Sequence, residues 1–91
     1  MLTLSSRPYL TVTQVAENPT VYNNQEIEVI GVVDDYTGGD FNLTEGPYRI
    51  VIQVSSITVP TEVQDGIQVV IKGILQSNLI LVANQILTQC S

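Results

Sequence analysis

Histidine is absent from this sequence. Imidazole base catalysis, a Ser-His-Asp arrangement and most zinc sites are therefore excluded within it. One cysteine, Cys90, rules out an internal disulfide and leaves the redox compartment open. Basic residues are scarce: Arg7, Arg49 and Lys72 stand against nine acids, for a net charge of -6. Nucleic-acid binding leans on phosphate neutralisation by several Lys or Arg, so nucleic acid is not expected as a partner. The same balance disfavours adsorption to an anionic membrane surface. Tryptophan is missing and phenylalanine occurs once, so the core must be mostly aliphatic. No CxxC pair, Walker motif or GxGxxG is present, and an enzyme is not expected. No apolar run reaches the roughly 20 residues of a membrane span, and no signal-type n-region opens the chain.

What is present is β-forming. Thr, Val and Ile make up 32 of 91 residues, types that suit a pleated, half-buried surface. The last third is the clearest stretch. Ile67 to Leu75 and Leu79 to Leu87 are two such runs around a polar break at Gln76-Ser77-Asn78, which reads as a β-hairpin. Its second arm leads to Cys90.

Upstream, residues 1–8 are expected to be loose. Tyr9 to Val15 fits either a short strand or one helical turn. The turn is preferred, with Thr11 or Thr13 as cap and Gln14 or Glu17 completing a capping box. Pro19 is expected to end it. Glu26 to Asp34 is a long strand with Ile27 and Val29 inward, and Gly31 within it predicts a bulge or bend. Asp34 to Asp40 is a turn-rich connection. Its aspartates lack EF-hand spacing and read as a solvated loop. Phe41 and Leu43 share one face of a short strand. Tyr48, Ile50, Ile52 and Val54 share one face of the next. Ser55 to Gly66 is irregular, with a short helical turn expected at Thr61 to Gln64.

This order predicts an all-β fold: a small five-stranded OB-type closed barrel with short helical turns, because closure removes exposed edges. Residues 1–91 are expected to form one domain, with 88–91 starting a C-terminal tail that carries Cys90. Two features point outward. Val51, Val70, Ile74, Ile80 and Val82 are an apolar surplus that is either core or a surface patch for a flat apolar ligand or partner. Cys90 is either a small hydrophobe at a strand end or a reactive thiol, although no Lys or Arg lies near it in sequence to lower its pKa.

Four segments together resemble the extracytoplasmic OB-type domain of the CcmE family, haem chaperones of cytochrome c maturation. They are Tyr9 to Val15, Ile27 to Val33, Val63 to Leu75, and Val82 to Cys90. In the last, cysteine stands where most of the family has histidine, as in a variant group. The resemblance covers about Tyr9 to Ser91. It implies haem as cofactor, bound covalently through Cys90 to a vinyl group and carried for delivery to apocytochrome c. It implies membrane-bound cytochrome c maturation proteins as partners, and a place on the extracytoplasmic side of the membrane with an anchor outside this chain. The family's iron-associated tyrosine has no counterpart here. Tyr9, Tyr22, Tyr36 and Tyr48 exist, and nothing in the sequence chooses among them. Arg49 or Lys72 would face the haem propionates. Two other readings stand beside it: an OB-type nucleic-acid-binding module, and a protein-interaction domain without a ligand.

Overall fold

A computed structural model describes residues 9–88. The expectations for residues 1–8 and for Cys90 lie outside the described residues. The chain runs β1 (Leu10–Thr11), α1 (Val12–Glu17), α2 (Pro19–Tyr22), β2 (Glu26–Asp34), β3 (Phe41–Glu45), β4 (Tyr48–Gln53), β5 (Gln68–Gln76) and β6 (Ile80–Thr88). Strands β2 to β6 close in the order β2-β3-β4-β6-β5, and β5 returns to β2. This is the expected five-stranded OB-type barrel. Its only parallel seam within the barrel joins β4 to β6, and the short β1 adds to β2 in parallel.

Alternation fills the barrel. Val29 and Val33 of β2, Phe41 and Leu43 of β3, and Ile50 and Ile52 of β4 all point inward and are almost fully buried. Val69, Ile71 and Leu75 of β5 join Leu81, Ala83 and Ile86 of β6 from the other side. Helix α1 lies against β2, β3 and β4 and adds Val12 and Val15, both fully buried, to this core. The helix starts as the sequence predicts. The Thr11 side chain accepts from the Gln14 N–H at 3.1 Å, and Gln14 Oε1 accepts from the Thr11 N–H at 2.9 Å. Two N–H groups that the helix itself cannot pair are thereby satisfied.

Three local expectations change. Gly31 makes no bulge, since β2 keeps unbroken register with β5 from Glu26 to Val32. Its role is close approach: a Cβ there would lie 2.8 Å from both Leu43 Cγ and Val12 Cγ2. The bulge sits in the hairpin instead. Lys72 pairs with Gln85 and Gly73 with Ala83, which leaves Asn84 as the extra residue. Pro19 ends α1 and also opens α2 at its first position, where its missing N–H costs nothing. Thr61 to Gln64 forms a turn without a helix. Between β5 and β6, Asn78 and Leu79 both have positive φ, at 64° and 57°. Both lie in the three-residue turn Ser77–Leu79 that joins Gln76 to its ladder partner Ile80.

Candidate ligand-binding face

Strand register fixes what the barrel shows to solvent. Along one outward row, Asn42 of β3 lies opposite Val51 of β4, Val51 beside Ile80 of β6, and Ile80 opposite Gln76 of β5. In the next row, Gln53 lies beside Val82, Val82 opposite Ile74, and Ile74 opposite Glu26. Val51, Ile80, Val82 and Ile74 are therefore neighbours on three adjacent strands. Val51 keeps 37% of its surface exposed and Ile74 keeps 39%. Ile80 and Val82 are half-buried between them. Four of the five surplus apolar residues thus form one patch with polar residues at its rim. The fifth, Val70, is buried between Ile30 and Leu87 on the outward side of β5 and does not belong to it.

The two described cations flank this patch without meeting. Arg49 is exposed on β4 opposite Thr44. Lys72 is half-buried on β5, opposite Glu28 on one side and Gln85 on the other.

Most of the acids whose contacts are seen hold the scaffold. Asp65 accepts from the Tyr36 N–H at 2.8 Å and ties the β2–β3 loop to the connection before β5. Asp40 accepts from the Val54 N–H at 3.0 Å where β4 ends. Glu45 accepts from the Thr13 N–H at 3.0 Å in the first turn of α1. Hydrogen bonding from Thr13, side chain first and then backbone, holds the Glu45 carboxyl below its ordinary range. Glu17, at the other end of α1, accepts from the Tyr48 hydroxyl at 2.9 Å, and that bond raises the phenol's pKa. These long-range staples have no local sequence signal, because the partner lies about 30 residues away in three of the four.

The tyrosines are dispersed. Tyr36 packs edge-on against Phe41 with ring centroids 5.7 Å apart. Tyr48 is held by Glu17. Tyr22 is half-buried and Tyr9 exposed. No group of three or more His, Cys, Asp or Glu among the described residues is placed to hold a metal ion. Also among them, no helix is long and apolar enough to cross a membrane.

A family model described as the CcmE domain matches residues 6–91. The chain belongs to the CcmE domain family. No curated protein matches it. Solved structures of similar fold include the telomere capping protein Ten1 from Saccharomyces pombe, at 18% identity and TM-score 0.74, over 88% of this chain and 78% of that one. A chain of the S. pombe Stn1–Ten1 complex gives 18% identity and TM-score 0.77, over 98% and 84%. Replication protein A of U. maydis bound to single-stranded DNA gives 19% identity and TM-score 0.67, over 92% and 75%. At these identities the likeness is one of fold.

These findings correct the haem-related expectations. A haem chaperone, with haem as cofactor and with iron or metal binding, is contradicted. The similar folds are those of telomere-capping and replication proteins, and the described residues bring together no metal-ligating cluster. The CcmE domain family is retained; delivery of haem to apocytochrome c through membrane-bound maturation proteins is not. The expectation against nucleic acid is withdrawn as well, since one of the similar structures is a complex with single-stranded DNA. It rested on net charge and on the scarcity of Lys and Arg.

Proposed function

We propose that the chain is a non-catalytic OB-type module that binds another protein across the outer face of β4, β6 and β5. The observation that carries this reading is the contiguous patch of Val51, Ile74, Ile80 and Val82, two of them more than a third exposed. Each exposed β-branched side chain in a patch leaves apolar area in water, and covering it gains roughly 25 cal/mol per Å². The polar rim of Asn42, Gln53, Gln76 and Glu26 matches the usual layout of a protein interface, an apolar centre inside a polar ring. A likeness to the Stn1–Ten1 complex supports it too, because that fold is seen there assembled with another protein.

Site-directed photocrosslinking in the native cells tests it. A crosslinking residue is placed at Val82 and, as control, at exposed Glu62. A protein captured from Val82 and not from Glu62 is purified and mixed with the wild-type chain. Val82→Asp and Ile74→Asp are expected to weaken that binary complex by more than tenfold, roughly 1.4 kcal/mol or more. Indifference to both substitutions would remove the reading.

A second reading is single-stranded nucleic acid on the same side of the barrel. It is favoured by the fold shared with a replication protein A–DNA complex and by exposed Arg49 beside Asn42 and Thr44 on the β3–β4 surface, the face that OB folds use for oligonucleotides. Labelled oligo(dT) decides between them. Saturable binding that weakens with salt and with Arg49→Ala makes nucleic acid the ligand.

A further inference from the structure

We propose that β6 accepts an extended segment of a partner polypeptide as an added strand along Ala83–Thr88. The inference rests on the protein-binding reading and specifies the form the partner takes.

It begins where β4 stops. Strand β4 pairs with β6 only at Val51–Ile80, Ile52–Leu81 and Gln53–Val82. At Val54 the chain turns away. Its N–H goes to Asp40 Oδ1, and its carbonyl accepts from the Ile57 N–H at 3.2 Å. Strand β6 continues through Thr88 with β5 on one side. On the other side, no strand pairs with residues 83–88 among the described residues. The connection from Val54 to Ile67 packs Ile57, Val59 and Val63 against the core. Its described backbone hydrogen bonds run within itself or to Val33, not to β6. Among the described residues the outer side of Ala83–Thr88 therefore has no ladder partner.

An open ladder is chemically specific. Alternating N–H and C=O groups at strand spacing match another peptide backbone, the mode of strand addition. Edges that must stay unpaired usually carry Lys, Pro or an inward charge. Ala83-Asn84-Gln85-Ile86-Leu87-Thr88 carries none of these. The bulge at Asn84 bends only its start. The edge also continues directly from Val82, so an added strand would extend the apolar patch already described.

The surroundings specify the segment further. Thr88 pairs with Val69 and Leu87 with Val70, so Leu87 lies on the outward side of the sheet. The charged side chain registered against this stretch is Lys72 of β5, opposite Gln85. The segment that fits has an apolar residue beside Leu87 and no proline in its pairing stretch.

The test uses a displayed library of random twelve-residue peptides panned against the whole chain, followed by amide hydrogen exchange. Enriched peptides are expected to alternate apolar and polar residues. At saturation they should slow exchange about tenfold or more at the alternate amides of 83–88 that face away from β5. Three results would overturn the inference. One is slow exchange at those amides in the free protein or with rising protein concentration alone, which means the edge is already paired. Another is no enriched peptide. The third is enriched peptides that perturb Val51, Ile74 and Val82 and leave the edge amides unprotected; the protein-binding face then stands without strand addition. Protection of the edge with no change at the face would do the reverse, keeping the added strand and removing the face.

Discussion

The two halves of the barrel are held in different ways. The β2–β3–β4 side is pinned by side chains: Glu45 and Glu17 fix the two ends of α1 to the β3–β4 hairpin, while Asp40 and Asp65 fix the loops. The β5–β6 hairpin relies mostly on its ladder, paired over nearly its whole length. It buries its inward face and leaves its outward face apolar. Polar effort is concentrated where the chain must be irregular, and the regular hairpin is left free to present a surface. That division predicts where substitutions hurt stability and where they hurt binding.

The hairpin should break most sharply at Gly73. A Cβ there would sit 2.2 Å from the Val82 carbonyl oxygen and 2.9 Å from its carbon. Backbone cannot yield as a side-chain tip can. Gly73→Ala is expected to cost about 3 kcal/mol or more, above the usual range for overpacking. Urea unfolding should show a large drop in midpoint. The pinned side has a milder counterpart in Gly31→Ala, which meets Leu43 and Val12 side chains and should cost about 1–3 kcal/mol. If Gly31→Ala proved the more damaging, packing of α1 against the barrel would matter more than the hairpin's close approach.

Asp65→Ala separates stapling from packing. It removes the acceptor for the Tyr36 N–H in an exposed setting, so global stability should fall by about 1 kcal/mol. Exchange of the Tyr36 amide should rise by more than that of the β5 and β6 amides. Uniform acceleration across the molecule would show that the loop staples are not separable from the barrel.

Val51→Thr and Val82→Thr address the other half of the contrast. Both positions face outward, so stability should change by no more than about 0.5–1 kcal/mol. A larger loss for Val82 would mark it as core rather than surface.

These contrasts follow closely what the sequence could and could not announce. The capping box of Thr11 and Gln14 is a local signal, and it was legible because both partners lie within four residues. Alternation in β2, β3 and β4 gave the inward faces, and strand count and order gave the barrel. The apolar surplus at Val51, Ile74, Ile80 and Val82 was legible as residues that exceeded the core. Val70 was misplaced with them because period-2 alternation shows which side of a sheet a residue takes and not what covers that side. Gly31 and Gly73 look alike as single glycines in strands, and only the fold shows that neither is the bulged residue. Asp40 reads as a solvated-loop acid and nothing local marks Asp65 or Glu45, because the N–H groups they bind come from elements far along the chain. Cys90 drew attention as the lone thiol, and it lies outside the described residues.

The smallest effect concerns pH and acts on both ends of α1 with opposite sign. The folded-state pKa of Glu45 is depressed by Thr13 below its ordinary value near 4.5. The unfolded chain therefore binds this proton more readily than the folded one. The Glu45 contribution is fully present above about pH 4.5 and is lost as pH falls through the lower folded-state value. Tyr48 runs the other way. Its hydroxyl donates to Glu17, and its folded-state pKa lies above the ordinary 10.0. That contribution is present below pH 10 and is lost as pH rises through the raised value. Both groups face solvent, so each effect is a slight slope in stability rather than a transition. Glu45→Gln should flatten the acid slope and leave the alkaline one, and Tyr48→Phe should do the opposite. Slopes that remained in both variants would place the pH sensitivity outside these two hydrogen bonds.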